Sequence, residues 1–277
     1  MIEIKNLTKR FDNFTAVDNL SLTVNTGEFF GLLGPNGAGK TTTISMISTV
    51  LLPSEGEILI DGKKLDRKAS AQKRKLSVIT QEYSMRQDMT MDEVMEYQGR
   101  LYFLPKKVIK ERSDELLDFA GLKEYRKRTV RHLSGGMKRK LMICRALLIE
   151  PEILLLDEPT AGMDALSRRQ MWNLLRRLNG SKMTIILTTH YIEEAQALCN
   201  RVALINCGKL QKLDTPTNLI KELGAYAVDE TSDDTLQSKY FKNRDEAIVY
   251  LKEAGENASL RATTLEDVFV ECAGRKL

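Results

Sequence analysis

The sequence has little with which to staple, coordinate or intercalate. Its 277 residues include only four cysteines, two histidines, one tryptophan and 6% aromatics. Cys144, Cys199, Cys207 and Cys272 lie far apart with no paired spacing, which argues against a disulfide framework or a zinc site. Reduced thiols in a cytosolic compartment are the expectation. No run approaches the roughly 18 apolar residues that a membrane helix needs. The densest apolar clusters, such as Ile153 to Leu156, are only strand-sized. The N-terminal Met1-Ile2-Glu3-Ile4-Lys5 lacks a signal-peptide pattern. There is no internal repeat and no low-complexity tract. The net charge of +4 is too mild to indicate nucleic acid. Basic stretches do occur at residues 63–68, 73–75, 106–107 and 126–128. Aromatics do not interleave with them, so a nucleic-acid stacking platform is not expected and no nucleic-acid partner is assigned. They read as a solvated face, or more sharply as a surface drawn to an anionic membrane leaflet.

What is present suits a globular α/β protein, with 42% hydrophobic and 29% charged residues. Ile2, Ile4, Leu20, Leu22 and Val24 alternate with polar residues, as in half-exposed antiparallel strands. Phe29 to Leu33, Ile153 to Leu156 and Thr184 to Thr189 are denser runs that suit buried parallel strands. A further short strand is read at Ser77 to Thr80. Helices are expected from Lys40 to Leu51 and from near Asp164 to Gly180, where glycine favours a stop. Gly56 to Gly62 reads as a hairpin strand with Asp-Gly in its turn. From about Asp92 to Ile149 the pattern is helical, with Asp92 a candidate cap. Sheet signal fades after about Thr215, and residues 229–234 read as an acidic turn. The tail from 235 reads as a small α/β appendix.

Gly34-Pro35-Asn36-Gly37-Ala38-Gly39-Lys40-Thr41 fits G-x-x-x-x-G-K-[ST], between an apolar strand and a helix. Glycines let the backbone curl so that successive N–H groups point at phosphate oxygens. The helix N-terminus adds positive potential. Lys40 is placed for the β- and γ-phosphates and the Thr41 hydroxyl for Mg²⁺. The strand Ile153 to Leu156 ends in Asp157-Glu158. Asp157 is the metal-side candidate, and Glu158 is placed to orient or deprotonate an attacking water.

Leu133-Ser134-Gly135-Gly136-Met137, ahead of the helical run Lys138 to Ile149, completes the set. Together with the phosphate loop and Asp157-Glu158 it strongly resembles the ATP-binding cassette (ABC) ATPases over residues 1 to about 220. The resemblance implies an α/β P-loop NTPase cassette. Its parts are a RecA-like parallel sheet core, an antiparallel β subdomain, a helical insertion at about 85–150 and a small C-terminal appendix at 221–277. It implies an adenine-stacking role for Phe11 and nucleotide contacts from Gly34 through Thr42. It implies that Gln81 touches Mg²⁺ and water, and that His190, after the strand Thr184 to Thr189, contacts the γ-phosphate as a switch. Ala161-Gly162-Met163-Asp164 matches a loop that communicates across a dimer; Asp164 also reads as a helix cap. Ser134, Gly135 and Gly136 would serve the ATP held by a second subunit, so two cassettes sandwich two nucleotides. His132 is taken as structural.

Two departures refine the resemblance. Met137 stands where glutamine is commoner, and Ala-Gly-Met-Asp replaces Ser-Ala-Leu-Asp. Both forms look like the bacterial branch that exports drugs, polysaccharides, lipids or sodium through a permease on a separate chain. The resemblance therefore implies a Mg²⁺-dependent ATPase on the inner face of the cell membrane, as a homodimer bound to an integral membrane permease. The competing readings are a soluble ABC ATPase in DNA maintenance, which would carry long coiled coils, or one acting on the ribosome, which would carry two cassettes. In the tail, Leu265, Val268, Phe269 and Cys272 form one apolar helical stripe. Thr264 is a candidate cap, with Asp267 as a weak capping box. That helix is expected to dock on its own appendix, or on another subunit or the permease.

Overall fold

The structure, a computed structural model, describes all residues except 83, 233, 234, 256 and 275–277. The chain opens with two long antiparallel strands, β1 (Ile2–Phe11) and β2 (Phe14–Val24). It then enters the buried strand β3 (Phe29–Leu33), and the phosphate loop leads into α1 (Lys40–Ile47). A hairpin follows, β4 (Glu55–Ile60) and β5 (Lys63–Lys64), then α2 (Ser70–Arg74) and β6 (Leu76–Ile79). Three helices form the insertion: α3 (Met91–Leu101), α4 (Lys106–Phe119) and α5 (Gly135–Leu147). The core resumes with β7 (Ile153–Asp157), α6 (Ala165–Gly180), β8 (Thr184–Thr189), α7 (Ile192–Leu198), β9 (Arg201–Asn206) and β10 (Lys209–Asp214). Helix α8 (Pro216–Leu223) leads to β11 (Tyr226–Ser232), β12 (Thr235–Phe241), α9 (Arg244–Ala254), β13 (Ala258–Ala262) and α10 (Leu265–Gly274).

The central sheet has the order β10-β9-β3-β8-β7-β6, parallel except for the edge hairpin strand β10. Every residue of β3, β7 and β8 is buried, because both faces of the sheet are covered. Alternate side chains divide between two cores. Phe29, Leu33, Leu154, Leu156, Ile185 and Leu187 pack with the insertion helices and with α6 and α7. Phe30, Leu32, Leu155 and Ile186 pack with α1 and with the antiparallel sheet β2-β1-β4-β5. The β4–β5 turn uses Asp61 (φ +51°) and Gly62 (φ +72°), as its Asp-Gly pair predicts.

Several local expectations are corrected. Helix α1 stops at Ile47, and the chain turns through Thr49 at φ +63° before Leu51. Strand β6 runs one residue earlier than read, so Gln81 lies two residues beyond its end. Thr90, not Asp92, caps α3, because Thr90 and Glu93 complete a reciprocal capping box. Asp92 instead accepts from Arg126 Nε at 2.9 Å. Sheet structure does not fade after Thr215, for a third, antiparallel sheet has the order β12-β11-β13. Residues 229–232 of the expected acidic turn belong to β11, while 233 and 234 lie outside the described residues. Asp229 tolerates a strand because Arg261 on β13 ion-pairs with it at 2.6 Å. Arg261 also reaches Asp267 of α10 at 2.7 Å.

The tail helix packs on the main core and not on its own appendix alone. Leu265 and Val268 are fully buried in the main core against α7 and α8, with Phe269 and Cys272 half-buried beside them. The Leu265 N–H donates to Gln196 Oε1 of α7 at 3.0 Å. Asp267 accepts from the Thr264 N–H at 2.7 Å, the capping-box half that its spacing suggested.

Candidate functional site

Four strand ends define the site. Along the carboxyl edge of the parallel sheet, β3, β8, β7 and β6 are successive neighbours. They deliver the phosphate loop, His190, Asp157-Glu158 and Gln81 in that order. This edge is where open α/β sheets bind ligands. A cleft of about 490 Å³ lies there, lined by Asn36 to Thr42, Gln81, Glu158 and His190.

The loop conformation needs its glycines. A Cβ on Gly34 would sit 2.4 Å from the Ile205 carbonyl oxygen, and one on Gly39 would sit 2.3 Å from that of Ala16. Gly39 is also left-handed, at φ +100°. Helix α1 then starts with no side-chain cap and no acidic residue in its first turn. Its first N–H groups thus point toward the cleft without an internal competitor, the arrangement that suits an anion.

Lys40 is buried, and its Nζ donates to the Gly34 and Pro35 carbonyls at 2.8 and 3.1 Å. The Glu158 carboxylate is 4.0 Å away. Burial pulls the Lys40 ammonium below its ordinary range, and Glu158 and Asp157 oppose that shift. Thr41 Oγ1 donates to Asp157 Oδ1 at 3.1 Å, and Thr188 Oγ1 of β8 donates to the same oxygen at 2.5 Å. Among the described residues no cluster of three His, Cys, Asp or Glu could hold a metal alone. The Thr41 hydroxyl and Asp157 carboxylate are hard oxygen donors beside the phosphate loop, which fits Mg²⁺ shared with a nucleotide.

Glu158 leaves β7 at φ +49°, its N–H held by the Thr188 carbonyl at 3.0 Å. This unfavourable conformation turns its side chain back toward the cleft. Glu158 Oε2 lies 3.2 Å from His190 Nδ1. Gln81 lines the cleft, and its carbonyl accepts from Arg139 of α5 at 2.8 Å.

The remaining candidates lie elsewhere. Ser134, Gly135 and Gly136 do not line the cleft. Ser134 caps α5 by accepting from the Met137 N–H at 3.3 Å. Asp164 caps α6, accepting from the Ser167 N–H at 2.8 Å and hydroxyl at 2.6 Å. Those bonds hold its carboxyl below the usual range. A Cβ on Gly136 would stand 3.4 Å from Ser167 Oγ, so the starts of α5 and α6 are close together. Phe11 is also outside the cleft, with Lys9 stacked 5.1 Å from its ring centroid. Phe14, its partner across the β1–β2 turn, lines the cleft instead. The sequence carried no local mark separating these two phenylalanines. Thr188 was missed as well; its one signal is its place near the end of the strand that carries His190.

Comparison with known proteins supplies the family. A family model described as "ABC transporter" matches residues 17–161. The linearmycin resistance ATP-binding protein of Bacillus subtilis is 38% identical over 224 residues, 81% of this chain and 72% of that protein. A Nod factor export ATP-binding protein of Cupriavidus metallidurans is 35% identical over 298 aligned positions, covering 100% of this chain and 98% of the relative. A dimeric bacterial ABC transporter cassette superposes with a TM-score of 0.70 at 28% identity, over 78% of this chain and 98% of the other. An ATP-binding subunit of an ABC transporter aligns with 99% of both chains at a TM-score of 0.74 and 23% identity, which supports the fold. With its phosphate loop, strand-end carboxylates and signature helix in one fold, the chain belongs to the ABC transporter family, as an ATP-hydrolysing ATP-binding subunit.

Proposed function

We propose that this subunit powers export through an integral membrane permease on a separate chain, with two copies closing over two ATP molecules. The observation that carries this reading is the split between the site's parts. Lys40, Thr41, Glu158 and His190 line one cleft, with Asp157 bonded to Thr41 beside it, while Ser134, Gly135 and Gly136 open a helix on another part of the surface. A second copy would bring its own signature helix N-terminus to the exposed side of the nucleotide. The full-length relative named for Nod factor export and the relative named for linearmycin resistance support the outward direction. No helix among the described residues is long and apolar enough to cross a membrane. The working location is the cytoplasmic face of the membrane, beside the permease.

In this reading the N–H groups of residues 37–42 and the Lys40 ammonium grip the phosphates. Thr41 and Asp157 would hold Mg²⁺, which would neutralise phosphate charge. Glu158 takes the proton of the attacking water, and His190, 3.2 Å from it, orients the carboxylate and meets the γ-phosphate. Phe14 rather than Phe11 stacks on the adenine, since it is the aromatic in the cleft. Glu158→Gln keeps the shape and removes the base. Its turnover is expected to fall by at least about 10²-fold while ATP-bound dimers accumulate. Steady-state ATPase assays with size-exclusion chromatography measure both; near-normal turnover would remove Glu158 from this role.

A further inference from the structure

Behind the Glu158–His190 pair sits a carboxylate that nucleotide handling does not use. Glu194, in the first turn of α7, is 0% exposed. Its Oε1 accepts from Thr160 Oγ1 at 2.9 Å and from Trp172 Nε1 at 3.1 Å. Burial pushes its pKa up, against the pull of hydrogen bonds from Thr189, Thr160 and Trp172 and the charge of Arg168. A buried carboxylate is an expensive way to fill space, and an apolar side chain of similar size would pack there more cheaply. What it gains is connectivity. Thr160 lies two residues beyond Glu158, Glu194 lies four residues beyond His190, and Trp172 belongs to α6, which Asp164 caps. One oxygen therefore ties together the segments carrying both members of the pair and the helix that follows the 161–164 loop. A second tie runs parallel to it. Arg168 lies 4.4 Å over the Tyr191 ring and donates to the Met163 carbonyl at 3.4 Å.

We propose that Glu194 is a positioning residue for hydrolysis, fixing the turn that aims Glu158 against the helix that follows His190. This rests on the reading of Glu158 as the carboxylate that activates water. Glu194 does not line the cleft, so it acts only through the pair it braces.

Thr160→Val keeps the shape of the side chain and deletes the donated bond. In the full chain it is expected to lower kcat about tenfold, with KM for ATP within about twofold of wild type, because the brace serves the chemical step rather than binding. Thr160→Ser, which restores a hydroxyl, is expected to recover most of the loss. Repeating Thr160→Val in the Glu158→Gln background, by single-turnover hydrolysis of radiolabelled ATP, separates positioning from bulk stability. The loss should shrink below about twofold there, because the group being aimed is gone. Trp172→Phe, which removes the other donor, gives the same readings if Thr160→Val fails to fold. An unchanged kcat, a failure of Thr160→Ser to rescue, or an equal loss in both backgrounds would overturn the brace. Near-normal turnover in Glu158→Gln alone would overturn the parent reading and this one with it. A large Glu158→Gln loss with multiplicative Thr160→Val losses would overturn only this one.

Discussion

The phosphate-loop side of the site gathers Lys40, Thr41, Gln81, Glu158 and His190 around one cleft, whereas the signature side offers one helix start outside that cleft. The first arrangement follows from sheet order. Strands β3, β8 and β7 are adjacent, so whatever follows each of them falls together. The second follows from the insertion. Helix α5 packs against α3, α4, β6 and α6 through its apolar face, which leaves Ser134 and Gly135 exposed at its start. In the proposed dimer the first side would hold the nucleotide and the second would meet the phosphates held by the other copy. Arg139 and Arg145 of α5 join the two, gripping the carbonyls of Gln81 and Ser84 at 2.8 and 2.7 Å. A change at either side can thus reach the other through the segment after β6.

The most severe test of this contrast separates the two sides genetically. Lys40→Ala and Ser134→Arg should each abolish ATPase activity in a pure preparation. Mixed dimers contain one composite site with both lesions and one with neither, so mixing should restore a substantial part of wild-type activity. Absence of recovery in dimers shown to be mixed would mean that both sides serve a nucleotide within one chain.

A smaller effect tests how the tail relates to the core. Phe269 is half-buried against the main core, so Phe269→Ala should cost less than the roughly 3–5 kcal/mol typical of a fully buried phenylalanine, about 2 kcal/mol. Thermal melting of the isolated chain reads this directly. An unchanged melt with weakened dimer or permease assembly would return α10 to the role of an intersubunit clamp.

The smallest effect concerns the base. Stacking a base on an aromatic ring contributes about 1–3 kcal/mol. Phe14→Ala should therefore weaken ATP binding by about tenfold, and Phe11→Ala by less than about twofold. Titration with a fluorescent ATP analogue distinguishes them, and the reverse order would restore Phe11 to the cleft.

The ease with which each part could be read differs for physical reasons. The buried strands announced themselves, because a parallel strand covered on both faces is apolar throughout. Asp164 as a cap and Asp61-Gly62 as a turn were equally legible, since each depends on residues within a few positions. Thr90 was overlooked in favour of Asp92, although Glu93 three residues later was the mark of its capping box. Residues 229–232 misled because their charge reads as solvent-facing, and the arginine that neutralises Asp229 stands 32 positions away. The tail stripe was legible as a helix, but the surface it covers was not.

By itself the sequence determined the chemistry. The phosphate loop, the Asp157-Glu158 strand end and the signature helix start are each set by spacings of one to eight residues, where backbone geometry leaves few options. Only the tertiary structure decided which of these share a cleft, that Phe14 rather than Phe11 faces it, that α10 seals onto α7 and α8, and that Glu194 ties Thr160 to Trp172. Those outcomes depend on the lateral order of strands and on which apolar stripe meets which. Adjacency of that kind comes from burying two cores on opposite faces of one sheet, and no local spacing encodes it.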